Sequence, residues 1–375
     1  MPYTALSAIS AGARVYLRPN CFIDTPSTLD GRVARMGNSL IWYHGYEFIV
    51  MQDGQRVFHD LVTLDWIEDA LFALPDRQQA ETRALIDRIA LARAPLRLGE
   101  RVIRFDAPQV MGVLNMTPDS FSDGGKHLND PSAATDAAFA MYEAGAAMID
   151  VGGESTRPGA EKTWEGDEIK RIVPVIEQLA KAGVPVSVDT RKATVMEAAL
   201  AAGAHLVNDI SGLLHDPRSI EVVAKANCPV VLMHAPSSGD NPHAGAAYAH
   251  AVIDVYDWLE KRVEDAVAAG VERENIIVDP GIGFGKSLQH NLSICSRLAL
   301  FQGLGAPVLF GASRKRMIGA LSNEAPVGER LGGSVALAFH AVQMGAQMVR
   351  VHDVKETVQA VHLWRGMRDA AIMMR

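Results

Sequence analysis

The amino-acid sequence predicts an α/β fold, a (β/α)8 TIM barrel with a small N-terminal α+β extension. Three observations carry this. Short apolar runs end on polar residues: Asn115 after VMGVL, Asp150 and Glu154 after AAMI, Asp189 after VPVSV, Asn208 and Asp209 after HLV, His234 after VVLM, Asp279 after NIIV, and His352 with Asp353 after MVRV. Strands that each deliver a polar group to one common mouth are the layout on which barrel active sites are built. From Val110 to Val354 these runs alternate with helical stretches at βα spacing. Residues 1–104 lack that alternation.

The 375 residues accommodate a barrel of about 250 residues plus a module of roughly 100. The division is set at 1–104, an extension of unknown role, and 105–375, the barrel. In the extension, DTPSTLDG and QDG are turn signals, and LIWYHGYEFIVMQDGQRVFHDLVTL carries aromatic and β-branched runs suited to strands. A helix is predicted over 76–93, after Pro75, with Leu85, Ile86 and Ile89 among its apolar positions. Barrel strands are predicted near 110–114, 147–151, 185–189, 205–209, 230–234, 276–279, 307–311 and 347–352. Residues 165–182 place Ile169, Ile172, Val173, Ile176 and Leu179 on one helical stripe, with Glu165, Asp167 and Glu168 near the positive helix start. A helix–Gly–strand rhythm recurs three times, in AFAMYEAGAAMIDVG, EAALAAGAHLV and ALAFHAVQMGAQMVRVH.

Composition narrows the function classes. Thirty-six basic against 44 acidic residues give a net charge of −8, which argues against a broad nucleic-acid footprint while leaving room for a local anion pocket. Cys21, Cys228 and Cys295 form no CxxC pair, so neither a zinc site nor a disulfide framework is implied. No run of eighteen apolar residues and no Lys/Arg-rich leader occur, so no membrane association and a cytoplasmic location are expected.

The chemistry is concentrated in loops after the strands. NMTPDSFSDGG (115–125) supplies turn residues and short polar groups, and GGESTRPG (152–159) combines close-approach glycines, two hydroxyls and the planar fork of Arg157. DPGIGFGK (279–286) has neither the Walker nor the dinucleotide spacing, so it supports neither ATP nor NAD. GASRKR (311–316), with Arg350 and His352, lies where barrels commonly bind phosphate; together with Arg157 these groups could hold a highly charged anion. Asp189, Asn208 and Asp279 suit a ligand with several N–H donors, a polar heterocycle rather than a sugar phosphate alone.

Over about 109–365 the chain strongly resembles the dihydropteroate synthase family, through NMTPDSFSDGG, DVGGESTRPG, SVDTRKA, VNDISG, DPGIGFGK, SRK and RVHDV in order. The resemblance implies a homodimeric barrel that joins 6-hydroxymethyl-7,8-dihydropterin diphosphate to p-aminobenzoate, with Mg2+, releasing pyrophosphate. It implies that Asn115 is metal-associated and that Thr156 and Arg157 lie near pterin or diphosphate. Asp189, Asn208, Asp279 and Lys315 would bind the pterin, Met233 would pack on it, and Arg350 and His352 would anchor diphosphate. Phe121, Pro158 and Phe284 would form the p-aminobenzoate pocket. Asp189, Asp279, Lys315, Arg350 and His352 would carry catalysis.

Three departures stand out. The fifth loop reads MHAPSSGDNPH rather than Met-His-Met-x-Gly, Arg316 replaces a serine common near the p-aminobenzoate carboxylate, and the first hundred residues exceed the usual leader. Two rival readings follow: a methyltetrahydrofolate-handling barrel, against which the anion-binding groups argue, and a weakly catalytic partner subunit.

Overall fold

The computed structural model describes residues 3–27, 29, 31–117, 131–157, 159–245 and 247–373. The extension opens with strands β1 (Arg14–Ile23), β2 (Ala34–Arg35), β3 (Trp42–Gln52) and β4 (Gln55–Thr63), all antiparallel around β3. The QDG signal becomes a two-residue hairpin turn: Gln52 pairs Gln55, and Asp53 and Gly54 both take positive φ, as such turns require. Helices α1 (Ile67–Phe72) and α2 (Asp76–Ala90) follow.

Helix α2 ends three residues before the predicted limit, and a buried arginine explains why. Leu91 turns extended, and Arg93, 4% exposed, sends its guanidinium back to the carbonyls of Arg88 and Leu91 and across to Gln302. Gln302 in turn donates to Gly345 O, and Gln347 donates to Gln302. This network, together with the packing of β1 and α2 on the short helix Leu298–Leu304, seats the extension on the barrel.

A second hairpin, β5 (Leu96–Leu98) and β6 (Arg101–Ile103), reaches the barrel's floor. Leu96, Leu98, Ile103 and Phe105 pack on Met111, Met148, Leu206, Val231, Ile277, Leu309 and Met348, which lie at or near the starts of the barrel strands. Those strands are β7 (Gln109–Asn115), β8 (Met148–Gly152), β9 (Val186–Asp189), β10 (Leu206–Asp209), β11 (Val230–Met233), β12 (Ile276–Asp279), β13 (Leu309–Phe310) and β14 (Met348–Val351). All pair in parallel, in the order β12-β11-β10-β9-β8-β7-β14-β13. A bridge between Val278 and Val308 closes the ring. β13 is shorter than predicted: Pro307 has no N–H to donate, although its carbonyl accepts from Val278.

Outside the strands run α3 (Pro131–Glu143), α4 (Glu165–Lys181), α5 (Ala193–Ala201), α6 (Ser219–Ala226), α7 (Ala251–Ala268), α8 (Leu288–Ser296), α9 (Arg316–Leu321), α10 (Leu331–Gln343) and α11 (Val354–Met373). On α4 the stripe buries Ile172, Val175, Ile176 and Leu179, whereas Ile169 and Val173 stay at its edge, half-buried. The three helix–Gly–strand repeats share one physical cause. Gly145, Gly203 and Gly345 each take positive φ near 100°, where a side chain would be strained.

The floor hairpin yields a stability prediction. Replacing fully buried Leu96 with Ala removes packing under several strands at once, so urea unfolding should show a loss of about 2–5 kcal/mol. An unchanged unfolding midpoint would mean that the hairpin does not seal the barrel.

Candidate active site

Parallel register sets the mouth. Gly152 pairs Asp189 and Asp189 pairs Asn208, while Met233 pairs Asp279 two residues beyond the Val231 that pairs Asn208, so all five lie at or next to the ends of their strands. Gly152 matters because a Cβ there would stand 3.4 Å from that of Asp189, filling space directly above the carboxylates.

Arg350, near the end of β14, organises one side. Its Nε donates to Asp150 Oδ2 at 2.6 Å and its Nη2 to Asp189 Oδ2 at 2.5 Å. Asp150 is fully buried and also accepts from Ser187 Oγ at 2.5 Å and Asn208 Nδ2 at 2.9 Å. Burial works against the charge of Arg350, yet Asp150 and Asp189 hold its proton affinity well above the usual range. Burial also raises the Asp189 carboxyl above the ordinary carboxylate range, with Arg350 opposing the rise and Asp150 adding to it.

Asp279 and Lys315 make the second half. Asp279 accepts from Gly281 N–H at 2.7 Å, and burial pushes its carboxyl up to about 6 despite that bond. Burial and the neighbouring Arg350 bring Lys315 down to about 8, with Asp279 pulling the other way. Lys315 Nζ also lies 4.3 Å from the centre of the Phe284 ring. Met233, Phe284, Ile210 and Ala235 form a small buried apolar cluster beside them. The mouth therefore offers acceptors, one cation and an apolar wall.

The loop holding Phe284 is built around Lys286. Its ammonium donates to the carbonyls of Gly281 (2.8 Å), His234 (3.2 Å) and Phe284 (3.3 Å) and to His234 Nδ1 at 2.9 Å. Burial lowers Lys286 to about 7 and, helped by the Lys286 charge, lowers His234 to about 2, so this imidazole is a neutral acceptor. Gly281 is obligatory, because a Cβ would sit 1.9 Å from His234 O.

His352 is also neutral: burial, then Arg350 and Arg314, bring it down to about 3, and its Nδ1 lies 3.0 Å from Ser313 Oγ. It can meet an anion as a hydrogen-bond donor rather than as a cation. Arg314 is committed to Asp353, whereas Arg316, at the start of α9, is exposed. Asn115 ends β7, half-buried, and Thr156 and Arg157 sit on the loop after β8, with Arg157 exposed. Phe121, Pro158 and most of the 115–125 loop lie outside the described residues.

The sequence reading assigned no role to several groups that shape the mouth. Asp150 was visible as a strand-end acid, but only the fold reveals it as the hub under Arg350. Glu154 meets both Arg191 Nε and Lys192 Nζ at 3.0 Å, and Lys192 continues to buried Glu168 at 2.7 Å. His243, on the unusual fifth loop, stacks on Phe284 with centroids 4.9 Å apart and bonds Thr156 O at 2.6 Å. His243 directly follows Pro242 in a loop with no periodic signal, so spacing could not have found it.

Residues 111–352 match the family described as pterin binding enzyme. A dihydropteroate synthase from Bacillus subtilis is 46% identical over 259 residues, covering 69% of this chain and 88% of its own length. The chain belongs to the dihydropteroate synthase family. The Escherichia coli dihydropteroate synthase is 45% identical, covering 68% of this chain and 90% of its own length. The Xanthomonas albilineans synthase solved with 4-aminobenzoic acid superimposes with a TM-score of 0.69 at 42% identity, covering 74% of this chain and 99% of its own. That synthase in complex with 7,8-dihydropteroate gives 0.66 at 40% identity, covering 73% and 99%. These relatives span the barrel of the family and leave roughly the first quarter of this chain unmatched.

The buried acid at the synthase mouth carries a measurable cost. The Asp279 carboxyl is raised from 3.8 to about 6 on folding, so its stabilising balance is complete below the unfolded value and is lost as pH rises through 6. Asp279→Asn should therefore make the ligand-free protein more stable at pH 7, by on the order of 1–3 kcal/mol. That advantage should vanish as pH falls from 6 to 4. Denaturant titrations across this window check it; a pH-independent difference would place the carboxylate elsewhere than in a desolvated pocket.

Proposed function

We infer that this chain is a working dihydropteroate synthase that joins 6-hydroxymethyl-7,8-dihydropterin diphosphate to p-aminobenzoate with release of pyrophosphate. Family membership and the conjunction of buried carboxylates with cations at one mouth support it. The observation that carries the reading is the Asp150–Arg350–Asp189 array next to Asp279 and Lys315. It presents fixed acceptors to a heterocycle and fixed donors to an anion within one rigid ring.

In this reading, Asp189, Asn208 and Asp279 accept or exchange hydrogen bonds with the pterin edge, Lys315 meets a ring acceptor, and Met233 packs on the face. The reaction is a substitution at the pterin methylene. The bond from that carbon to the diphosphate oxygen breaks, the bond to the amine nitrogen forms, and the amine proton leaves to solvent. No residue acts as a covalent nucleophile. Because the electron-rich ring can spread developing positive charge, catalysis rests on positioning and preorganised electrostatics. Arg350 keeps its guanidinium fixed by two carboxylates, so it does not reorganise as charge moves to the leaving group. His352 adds a neutral donor, and Thr156 and Arg157 flank the same space.

Mg2+ is part of the proposal. Among the described residues no group of three His, Cys, Asp or Glu could hold an ion. A site made of Asn115 and substrate oxygens nevertheless fits magnesium, which commonly keeps few protein ligands beside phosphate and water. When bound, the ion would neutralise charge on the departing diphosphate. We also assign the chain to a homodimer, supported by exposed Leu363 and Met367 one turn apart on α11, and to the cytoplasm. No described helix is long and apolar enough to cross a membrane. Residues 105–375 would hold the synthase and 1–104 a module with its own role.

The decisive measurement is pyrophosphate release with both substrates and Mg2+. Release should require p-aminobenzoate and should accompany dihydropteroate formation; no product above background would refute the assignment. A second measurement concerns Arg316, whose exposed fork at the start of α9 is proposed to pair the p-aminobenzoate carboxylate. Arg316→Ala should raise KM for p-aminobenzoate about tenfold, the loss of one charge-assisted contact, and leave that for the pterin substrate nearly unchanged. Arg316→Ser should recover part of the loss. Superimposable p-aminobenzoate saturation curves for wild type and Arg316→Ala would remove Arg316 from the site.

A further inference from the structure

Two half-open cavities lie along the seam between the extension and the barrel. The larger, about 490 Å3, lies among residues 11–15, α2 and α7, and its Arg14, Arg77 and Arg88 are matched by Glu81, Glu260 and Glu264. Its charges balance within the wall. The smaller, about 280 Å3, is bounded by β1, β3 and β4 on one side and by residues 248–253, α8 and Arg297 on the other. Here Arg18, Arg56, Arg297, His250 and His290 face a single carboxylate, Glu47.

That carboxylate is already engaged. Glu47 accepts from Arg18 and from His59 Nε2 at 2.7 Å, while Arg297 stands back at 3.6 Å. The remaining wall is apolar, with Ile49, Met51 and Val252 all buried. Tyr248 and His290, both on this lining, each carry a polar atom, Oη and Nδ1, that is shut off from solvent and has no hydrogen-bond partner among the described residues. Their rings meet edge to face at 5.2 Å. A buried hydroxyl and a ring nitrogen left unpaired each incur a desolvation penalty, so this wall of the cavity is not packed for stability alone.

We propose that this seam cavity binds a small oxyanion, carboxylate or phosphate, carried on an apolar ring. Guanidinium forks suit oxyanion oxygens, and the apolar wall takes the ring. The volume, about 280 Å3, sits at the small end of ligand pockets and admits a substituted benzene. Neither half forms the site alone: Arg18 and Arg56 come from the extension, and Tyr248, His290 and Arg297 from the barrel. The extension would thus create a binding site that a bare barrel lacks.

Calorimetric titration of the full chain with phenyl phosphate tests this, with benzoate and inorganic phosphate run in parallel. Saturable one-to-one binding is expected, weakened about tenfold or more in Arg56→Ala/Arg297→Ala. His352→Ala, which alters only the barrel mouth, should leave it intact. The tighter of phenyl phosphate and benzoate identifies the headgroup, and inorganic phosphate should bind more weakly than phenyl phosphate because it lacks the ring. No saturable binding of either ring compound, unchanged affinity in Arg56→Ala/Arg297→Ala, or loss of binding in His352→Ala would overturn the proposal. Binding is read without turnover, so its failure is distinguishable from a failure of the synthase assignment.

Discussion

The fixed position of Arg350 between Asp150 and Asp189 is the constraint on which the mouth depends. Four aspartates, Asp150, Asp189, Asp209 and Asp279, end or nearly end their strands at the top of a packed barrel, and all but Asp189 are at most 5% exposed. Such a cluster would repel itself and resist ionisation. Each acid is accommodated differently. Asp150 takes Arg350, Asn208 and Ser187; Asp209 spends its oxygens on Ser211 and on the backbone of Leu213, building a turn. Asp279 accepts Gly281 N–H and keeps its other oxygen toward Gly311 and the space beside Arg350. Division of labour among like residues is what leaves unspent acceptors for a ligand.

Much of this was legible in the sequence because it is periodic or local. The strands begin and end within a residue or two of their predicted places, since a short apolar run closed by a polar residue admits few alternatives when eight occur in series. The glycine turns were legible for the same reason, each being a local demand for positive φ. Nothing local marks Asp150 as the partner of Arg350, 200 positions away, nor the seating of Leu96 and Phe105 under the barrel. Those pairings are consequences of closure. Sequence marked Arg350 and His352 as anion anchors of one kind, whereas burial separates them into a clamped cation and a neutral imidazole.

The extension is integrated by polar means that composition does not advertise. Arg93 is buried without a carboxylate: its two Nη groups donate to carbonyls and Gln302, its Nε finds no acceptor among the described residues, and burial lowers it to about 10. An arginine so placed is costly and depends on the acceptors its Nη groups reach, so its position couples the end of α2 to the turn before β14 through Gln302 and Gly345. Residues unmatched by the bacterial relatives are in this way tied to the strand that carries Arg350.

The fifth loop completes that linkage from above. His250 lies 3.2 Å from the carbonyl of Gly54 at the β3–β4 turn, Tyr248 packs between His234 and His290, and His243 reaches Phe284 and Thr156. Farther up, Arg191 and His215 hold the loop by Gly239 O and Ser238 O. A segment whose sequence departs from the family pattern is thus pinned at its ends and middle, one end on the extension and the middle over the wall assigned to the second substrate. The departure and the extra domain are parts of one arrangement: the loop's far end needs an outer support, and the β3–β4 turn supplies it.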